Sequence, residues 1–122
     1  MQDFSNLSVW QKSHVVTIKV YAASAHLSHP RDFGLRNQLV RAAISVPANL
    51  AEGCGRTGDR EFRRFVRVAL GSASELEYHL LLAHDLGLLP AADYAQLAGA
   101  VVEVKRMLTG LAASLSDRLA QR

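Results

Sequence analysis

Residues 38–65, QLVRAAISVPANLAEGCGRTGDREFRRF, carry the strongest structural signal in this chain. The first half places apolar residues at the spacing of an α-helix, with Pro47 inside the pattern. A segment rich in glycine follows, and a second helical pattern then begins with a cluster of arginines. The stretch therefore predicts two helices joined by a short turn, with positive charge at the start of the second.

Pro47 lies within the pattern of the predicted helix 2, which runs from about Phe33 or Gly34 to Glu52. A proline inside a helix removes one backbone hydrogen bond and clashes with the carbonyl four residues earlier, that of Ala43. Alternatively, one helix ends at Val46 and a new one begins with Pro47 at its first position. Because the apolar spacing continues in phase across the proline, we expect one kinked helix. The apolar face consists of Leu35, Leu39, Ala42, Ala43, Val46 and Leu50.

Helix 3 is predicted to begin near Asp59, with Thr57 or Asp59 as its N-cap. Gly53 is the expected left-handed residue that ends helix 2. The apolar pattern of helix 3 stops at Gly87, which we expect to end the helix. Its predicted core residues are Phe62, Phe65, Val66, Ala69, Leu70, Ala73, Leu76, Leu80, Ala83 and Leu86.

The outer two helices show the same periodicity. Helix 1 is predicted from Ser8 to about Leu27, with Ser8 and Gln11 forming a capping box. His29 precedes a proline, which disfavours the α conformation and stops the helix. Helix 4 is predicted to begin just after Leu89, with Pro90 in its first turn. The core positions are Val9, Val16, Val20, Ala23 and Leu27 in helix 1, and Tyr94, Leu97, Val101, Val104, Leu108, Leu111, Leu115 and Leu119 in helix 4.

These patterns predict an all-α protein, an antiparallel up-down-up-down four-helix bundle that forms one domain over residues 1–122. No segment alternates with the period of a β-strand. Helix 1 has further apolar residues outside its main stripe, among them Val15 and Ile18. Such surplus apolar surface indicates self-association, although small apolar residues are also tolerated singly at a surface.

Composition excludes several classes of protein. The chain is 49% hydrophobic and has only three prolines, which argues against disorder. It contains no apolar run long enough to span a bilayer, and residues 1–13 lack the features of a signal peptide. The single cysteine, Cys54, forms no intramolecular disulfide. We therefore expect a cytoplasmic protein without membrane association.

The sequence shows no convincing catalytic or metal-binding set. Glu75 and His79 are one helical turn apart, but no second such pair completes a di-iron site. Cys54 has no histidine placed by sequence to act as its base, although nearby Arg56 would lower its pKa. The glycine-rich segment lacks the strand and the lysine of a phosphate-binding loop. We predict no catalytic residue, no metal ligand and no cofactor.

The arginine cluster is the remaining candidate for function. Residues 31–71 contain eight arginines against four acidic residues, whereas residues 72–100 contain four acidic residues and no lysine or arginine. Arg60, Arg63 and Arg67 are three or four residues apart, so they share one face near the positive end of the helix dipole, with Arg64 beside them. Phe62 and Phe65 between them fit core anchors better than stacking platforms. The cluster comprises Arg56, Arg60, Arg63, Arg64 and Arg67.

Much of the chain resembles a known family. The similarity lies in residues 7–12 (LSVWQK), 34–35, 38–53 (QLVRAAISVPANLAEG), 55–56, 61–62, Phe65 and residues 69–76 (ALGSASEL). Together these segments resemble the four-helix-bundle proteins encoded in intervening sequences of bacterial 23S rRNA genes. The resemblance covers roughly residues 4–90, whereas the predicted helix 4 shares only its general character with the family and no specific motif.

The resemblance implies an antiparallel four-helix bundle that assembles into a ring, with a homopentamer as the expected form. The accessory protein of diversity-generating retroelements is similar to this family. There a pentamer with a basic surface associates with a reverse transcriptase and nucleic acid. By analogy, the expected partners are further copies of the chain, rRNA or another nucleic acid, and a reverse transcriptase-like protein.

Two functional hypotheses follow. The first is a non-enzymatic, oligomeric bundle that binds structured RNA or DNA through the helix 3 arginines, with Lys12, Arg36 and Arg41 as secondary contacts. It predicts that an Arg63→Glu/Arg67→Glu variant stays folded and loses RNA affinity. The second is a protein-interaction scaffold that docks a partner through apolar or acidic surface, such as Glu75, Glu77 and Asp85. A separate alternative for the arginines themselves is that they form intersubunit or intrahelical salt bridges, for example with Glu75 or Glu77 of a neighbouring subunit.

Overall fold

The computed structural model describes residues 3–122, which form four long helices. These are α1 (Ser8–Ala23), α2 (Phe33–Cys54), α3 (Asp59–Asp85) and α4 (Ala91–Ala120). Single 3-10 turns at Phe4–Asn6, Ser24–His26 and Pro30–Asp32 flank α1 and precede α2, and no strand occurs among these residues.

Each helix packs against two neighbours, in the order α1–α2–α3–α4–α1, and among the described residues no Cα atoms of diagonal helices lie within 8 Å of each other. The predicted all-α four-helix bundle is therefore confirmed. No helix in the described part of the chain is both long and apolar enough to cross a bilayer.

The core is formed by the apolar stripes that the periodicity predicts. The most deeply buried large side chains come from all four helices, or, for Leu27, from just beyond α1. Leu86, expected in the core, is instead 59% exposed; α3 ends at Asp85, and Leu86 is its C-cap residue. The largest of the fully buried residues are Val20, Leu27, Leu39, Leu50, Val66, Leu76, Leu80, Val101, Leu108 and Leu115.

Helix α2 continues without interruption through Pro47, which is buried. The alternative of two helices that meet at Pro47 is therefore wrong. Thr17 of α1 provides a compensating contact, because its hydroxyl lies 3.0 Å from the carbonyl oxygen of Ala43. That carbonyl is the one that Pro47, which lacks an N–H, leaves without its helical partner. The kink itself stays a prediction.

Gly53 is not the left-handed end of α2, as predicted, but an interior helical residue. A Cβ at this position would lie 2.8 Å from Cβ of Phe65 and 2.9 Å from Cδ1 of Phe62. Glycine is therefore required here for the close approach of α2 to α3. The left-handed glycines of the described chain are Gly58, just before α3, and Gly87, just after it.

The helix ends differ from the prediction in their capping. Ser8 is the first residue of α1 and caps nothing, and the side chain of Gln11 donates to the carbonyl of Ser5 at 2.8 Å instead of closing a capping box. Gly58 is the N-cap of α3, so neither Thr57 nor Asp59 has that role. The N-cap positions of α1 and α3 are instead occupied by Leu7 and Gly58, neither of which makes a side-chain capping hydrogen bond.

The remaining boundaries lie close to the expected ones. Helix α1 ends at Ala23 and continues as a 3-10 turn to His26, while His29 is extended, as predicted. Helix α3 ends at Asp85, and Gly87 with φ of 73° closes a Schellman motif. In that motif the Leu88 N–H donates to the Ala83 carbonyl and the Gly87 N–H to the His84 carbonyl, both at 2.9 Å.

Candidate nucleic-acid interface

One end of the bundle collects most of the arginines, because the last turn of α2, the first turns of α3 and the last turns of α4 meet there. Asp59, the first residue of α3, lies 3.6 Å from Arg118 of α4 and also pairs with Arg122. The sequence interpretation missed these two arginines. We call this surface the basic end; it consists of Arg56, Arg60, Arg63, Arg64, Arg67, Arg118 and Arg122.

Three of these arginines have no carboxylate within 4.0 Å among residues 3–122. They are Arg60, Arg63 and Arg67, whose spacing places them on one face of α3. Arg60 and Arg67 are exposed. Arg63 is half-buried, and its Nη1 donates to the hydroxyl of Ser116 on α4 at 3.1 Å. The two exposed guanidinium groups are therefore available to a polyanion, and Arg63 is partly committed to packing.

Arg56 and Arg64 are already neutralised. Arg56 pairs with Glu52 at 2.8 Å, and Arg64 pairs with Glu61 at 2.9 Å. Both guanidinium groups also lie over the ring of Phe65, with their central carbons 5.4 Å and 4.4 Å from its centroid. Cation–π contact and ion pairing together orient these two side chains.

Phe65 and its neighbour Phe62 are both buried, which confirms their interpretation as core anchors. Phe62 belongs to the main core, whereas Phe65 lies beneath the two paired arginines and against Gly53. Neither ring presents an open face on which a base would stack. Contacts from the basic end would therefore go to phosphates and not to bases.

The first turn of α3 adds partial positive charge. Its N-cap, Gly58, provides no side-chain hydrogen bond, so the first backbone N–H groups of the helix have no capping acceptor. Asp59 and Glu61 occupy the same turn and oppose this charge. Their carboxylates are engaged by Arg118, Arg122 and Arg64, which reduces that opposition.

The predicted secondary residues lie elsewhere. Lys12 pairs with Glu103 of α4 at 2.9 Å and so serves the α1–α4 contact. Arg36 and Arg41 line a groove between α1 and α2. Arg41 lies thirteen residues before the end of α2, roughly 20 Å along the helix axis. The structure thus groups the helix 3 arginines but does not bring Lys12, Arg36 and Arg41 to them.

Most acidic side chains of residues 72–100 contact a lysine or a histidine within the chain. Glu75 lies 3.2 Å from His79, Glu77 lies 2.9 Å from Lys105, and Asp93 lies 3.2 Å from His26. Within the described residues Asp85 has no cationic partner within 4.0 Å. In this chain neither Glu75 nor Glu77 contacts an arginine of the basic end.

Cys54 is the last residue of α2 and is buried. Burial, and secondarily the negative charge of Asp3, raise the pKa of its thiol. The expectation that Arg56 lowers this pKa is therefore wrong, since Arg56 is exposed and paired with Glu52. Over residues 3–122 no three histidine, cysteine, aspartate or glutamate side chains are grouped as a metal site.

Comparison with known proteins is consistent with this architecture. A crystal structure of a protein of unknown function from the S23 ribosomal protein family of Bacteroides thetaiotaomicron VPI-5482 superimposes with a TM-score of 0.80. The match covers 85% of this chain and 97% of that chain at 22% sequence identity, and at that identity it shows the fold alone. No curated protein matches the sequence.

Residues 5–110, most of the chain, match the family model described as 23S rRNA-intervening sequence protein. The resemblance noted over roughly residues 4–90 is thereby confirmed, and the match extends to residue 110, which includes much of α4. The chain therefore belongs to the 23S rRNA-intervening sequence protein family.

Proposed function

We propose that this protein is a non-enzymatic, cytoplasmic, homo-oligomeric bundle that associates with structured RNA or DNA through the basic end. The observation that carries the proposal is the row of Arg60, Arg63 and Arg67, which share one face of α3 and have no carboxylate partner among the described residues. Unpaired arginines beside free helix N–H groups suit phosphate oxygens.

Such binding would depend on charge and shape. Each phosphate neutralised by an arginine releases a condensed counterion, so affinity falls steeply as salt concentration rises. The buried phenylalanines of the basic end, Phe62 and Phe65, offer no stacking surface. We therefore propose recognition of a folded backbone and not of a base sequence, with rRNA as the first candidate.

A matched pair of variants tests the proposal. Arg60→Gln/Arg67→Gln removes two unpaired arginines, whereas Arg56→Gln/Arg64→Gln removes two that Glu52 and Glu61 neutralise. Both lower the net charge equally. Filter binding to 23S rRNA fragments across a salt series should show the slope of log K against log salt reduced by roughly 2 in the first variant.

The control variant should change that slope much less, because its arginines are held by carboxylates. Equal effects of the two variants would mean that net charge alone governs binding and that the row has no special role. No binding by the unmodified protein at low salt would exclude the proposal and favour a scaffold. Arg63→Glu is less suitable than either pair, since Arg63 also bonds Ser116 and its loss would disturb the packing of α4.

One observation favours a scaffold that works through self-association. Two large apolar side chains on the outer face of α1 are strongly exposed, namely Val15 at 48% and Ile18 at 57%. Surfaces of this kind are typically covered by a partner. Light scattering on the unmodified protein and on Ile18→Glu tests this: a pentamer that dissociates in the variant supports it, and an unmodified monomer contradicts it. Association with a reverse transcriptase-like protein stays a prediction from the family resemblance.

A further inference from the structure

A concave surface lies between α1 and α2, away from the basic end. Its volume is about 510 Å³, within the usual range of small-molecule sites. Among residues 3–122, no acidic side chain lines it. The lining residues are Tyr21, Ser24, Gly34, Arg36, Asn37, Gln38, Val40 and Arg41.

The two arginines of this groove have no internal counterion. Neither Arg36 nor Arg41 has a carboxylate within 4.0 Å among residues 3–122, although the nearby Arg31 pairs with Asp32 at 3.8 Å. Arg36 is half-buried, and its guanidinium carbon lies 5.3 Å from the centroid of the Phe33 ring. That contact restricts the side chain, so less entropy is lost when it binds an anion. Two positive charges in one concave surface without a counterion suit a phosphate.

The other lining groups suit a nucleobase. Tyr21 is 67% exposed, so its ring is accessible for stacking. Asn37 and Gln38 are exposed, and their amides carry both donors and acceptors, as the edges of bases do. The groove thus combines positive charge, an aromatic ring and amide groups, which is the set that unstacked nucleotides require.

We propose that the groove between α1 and α2 binds a single nucleotide unit, with its phosphate on Arg36 and Arg41 and its base on Tyr21. The unit is either a free mononucleotide or an unpaired nucleotide of an RNA strand. An unpaired nucleotide of RNA would deepen the proposed function, on which it rests, by adding a contact to single-stranded RNA. Binding of a free mononucleotide is independent of the proposed function.

Calorimetric titration with adenosine monophosphate, with inorganic phosphate and with a short single-stranded RNA tests the proposal. Arg36→Gln/Arg41→Gln should weaken nucleotide binding by at least about tenfold, because two charge-assisted hydrogen bonds are lost. Arg60→Gln/Arg67→Gln should leave adenosine monophosphate binding unchanged. Tyr21→Leu should weaken binding of the nucleotide but not of inorganic phosphate.

A second pair of variants guards against misfolding. A Cβ on Gly34 would have no atom within 4 Å, so both Gly34→Glu and Gly34→Gln should fold. The carboxylate of Gly34→Glu would neutralise the groove, whereas the amide of Gly34→Gln occupies a similar volume without charge. Nucleotide binding should therefore fall further in the glutamate variant. Equal losses in the two variants would contradict a role for charge in this groove.

The outcomes separate the two proposals. If neither adenosine monophosphate nor the short RNA binds, while rRNA fragments bind through the basic end, only the proposal for the groove is overturned. Nucleotide binding without rRNA binding supports the groove and overturns the proposed function. Equal affinity for inorganic phosphate and nucleotide contradicts the assignment of Tyr21. Binding of the nucleotide but not of the strand identifies a free nucleotide as the ligand, and the reverse identifies RNA.

Discussion

The hydroxyl of Thr17 on α1 lies 3.0 Å from the carbonyl oxygen of Ala43 on α2. In an uninterrupted helix that carbonyl would accept from residue 47, but Pro47 has no N–H. The same hydroxyl lies 2.8 Å from the Ser13 carbonyl within its own helix, so its single proton is shared. A neighbouring helix thus compensates for a proline inside α2, and α1 is coupled to that position.

Thr17→Val should destabilise the protein by about 1 kcal/mol, because the buried carbonyl of Ala43 loses its donor. In a Pro47→Ala background the same substitution should cost less, since the new alanine restores the helical N–H that donates to Ala43. Urea denaturation of the four proteins gives the coupling energy, expected at about 0.5–1.5 kcal/mol. Strict additivity of the two substitutions would contradict the compensation.

Gly53→Ala should destabilise the bundle by about 1–3 kcal/mol, because the new methyl group would meet the rigid stem of Phe65. Gly71 provides the control, since it is also helical and a methyl group there would have no atom within 4 Å. Gly71→Ala should stabilise the protein by about 0.5–1 kcal/mol through helix propensity alone. If Gly53→Ala and Gly71→Ala shifted the melting temperature in the same direction, the steric requirement for glycine at position 53 would be contradicted.

Asp59→Asn should lower stability by about 0.5–1 kcal/mol, because it removes the shared partner of Arg118 and Arg122 and a favourable charge at the start of α3. Released from that carboxylate, the two arginines should strengthen binding to rRNA fragments. Asp117→Asn removes the same charge from α4 at an exposed residue with no cation within 4.0 Å in the described chain. Denaturation and salt-series binding compare the two. If Asp117→Asn changed stability and rRNA binding as much as Asp59→Asn does, net charge alone would explain both effects.

Cys54 should react with soluble thiol reagents far more slowly in the folded protein than in urea, because it is buried and burial raises the pKa of its thiol. The unfolded thiol ionises first as pH rises, so the folded state holds the proton over the interval between the two pKa values. The contribution of the Cys54 thiol to the free energy of unfolding is fully present below the pKa that the thiol has in the unfolded chain. It is lost as pH rises through the higher pKa of the folded state. The difference in unfolding free energy between the unmodified protein and Cys54→Ala should therefore shrink from about pH 7 to about pH 10. A constant difference would contradict the raised pKa.

Periodicity in the sequence is sufficient to predict the helices, because the apolar spacing reports directly which face of each helix is buried. Val20, Leu39, Val66 and Leu108 come from four separate stripes and meet in one core. The capping residues were harder to predict. Ser8, Thr57 and Asp59 are all suited to capping, yet Leu7 and Gly58 occupy the N-cap positions of α1 and α3.

The candidate site was only partly predictable. Spacing alone places Arg60, Arg63 and Arg67 on one face, since residues at positions i, i+3 and i+7 lie on the same side of a helix. It does not reveal that Arg118 and Arg122 reach Asp59 from about sixty residues away, which requires α4 to run antiparallel to α3. Nor does spacing distinguish the arginines that Glu52 and Glu61 neutralise from those left free.

The order of residues was enough to establish the helical content, the apolar face of each helix and the family, because these depend on local spacing and on residue identity along the chain. It was not enough to establish what Gly53, Pro47 and the individual arginines do. Their roles depend on atoms from other helices: the stem of Phe65, the hydroxyl of Thr17, and the carboxylates within or beyond reach of each guanidinium group. Interactions over a few ångströms between distant parts of the chain follow from how the helices pack, which local spacing does not encode.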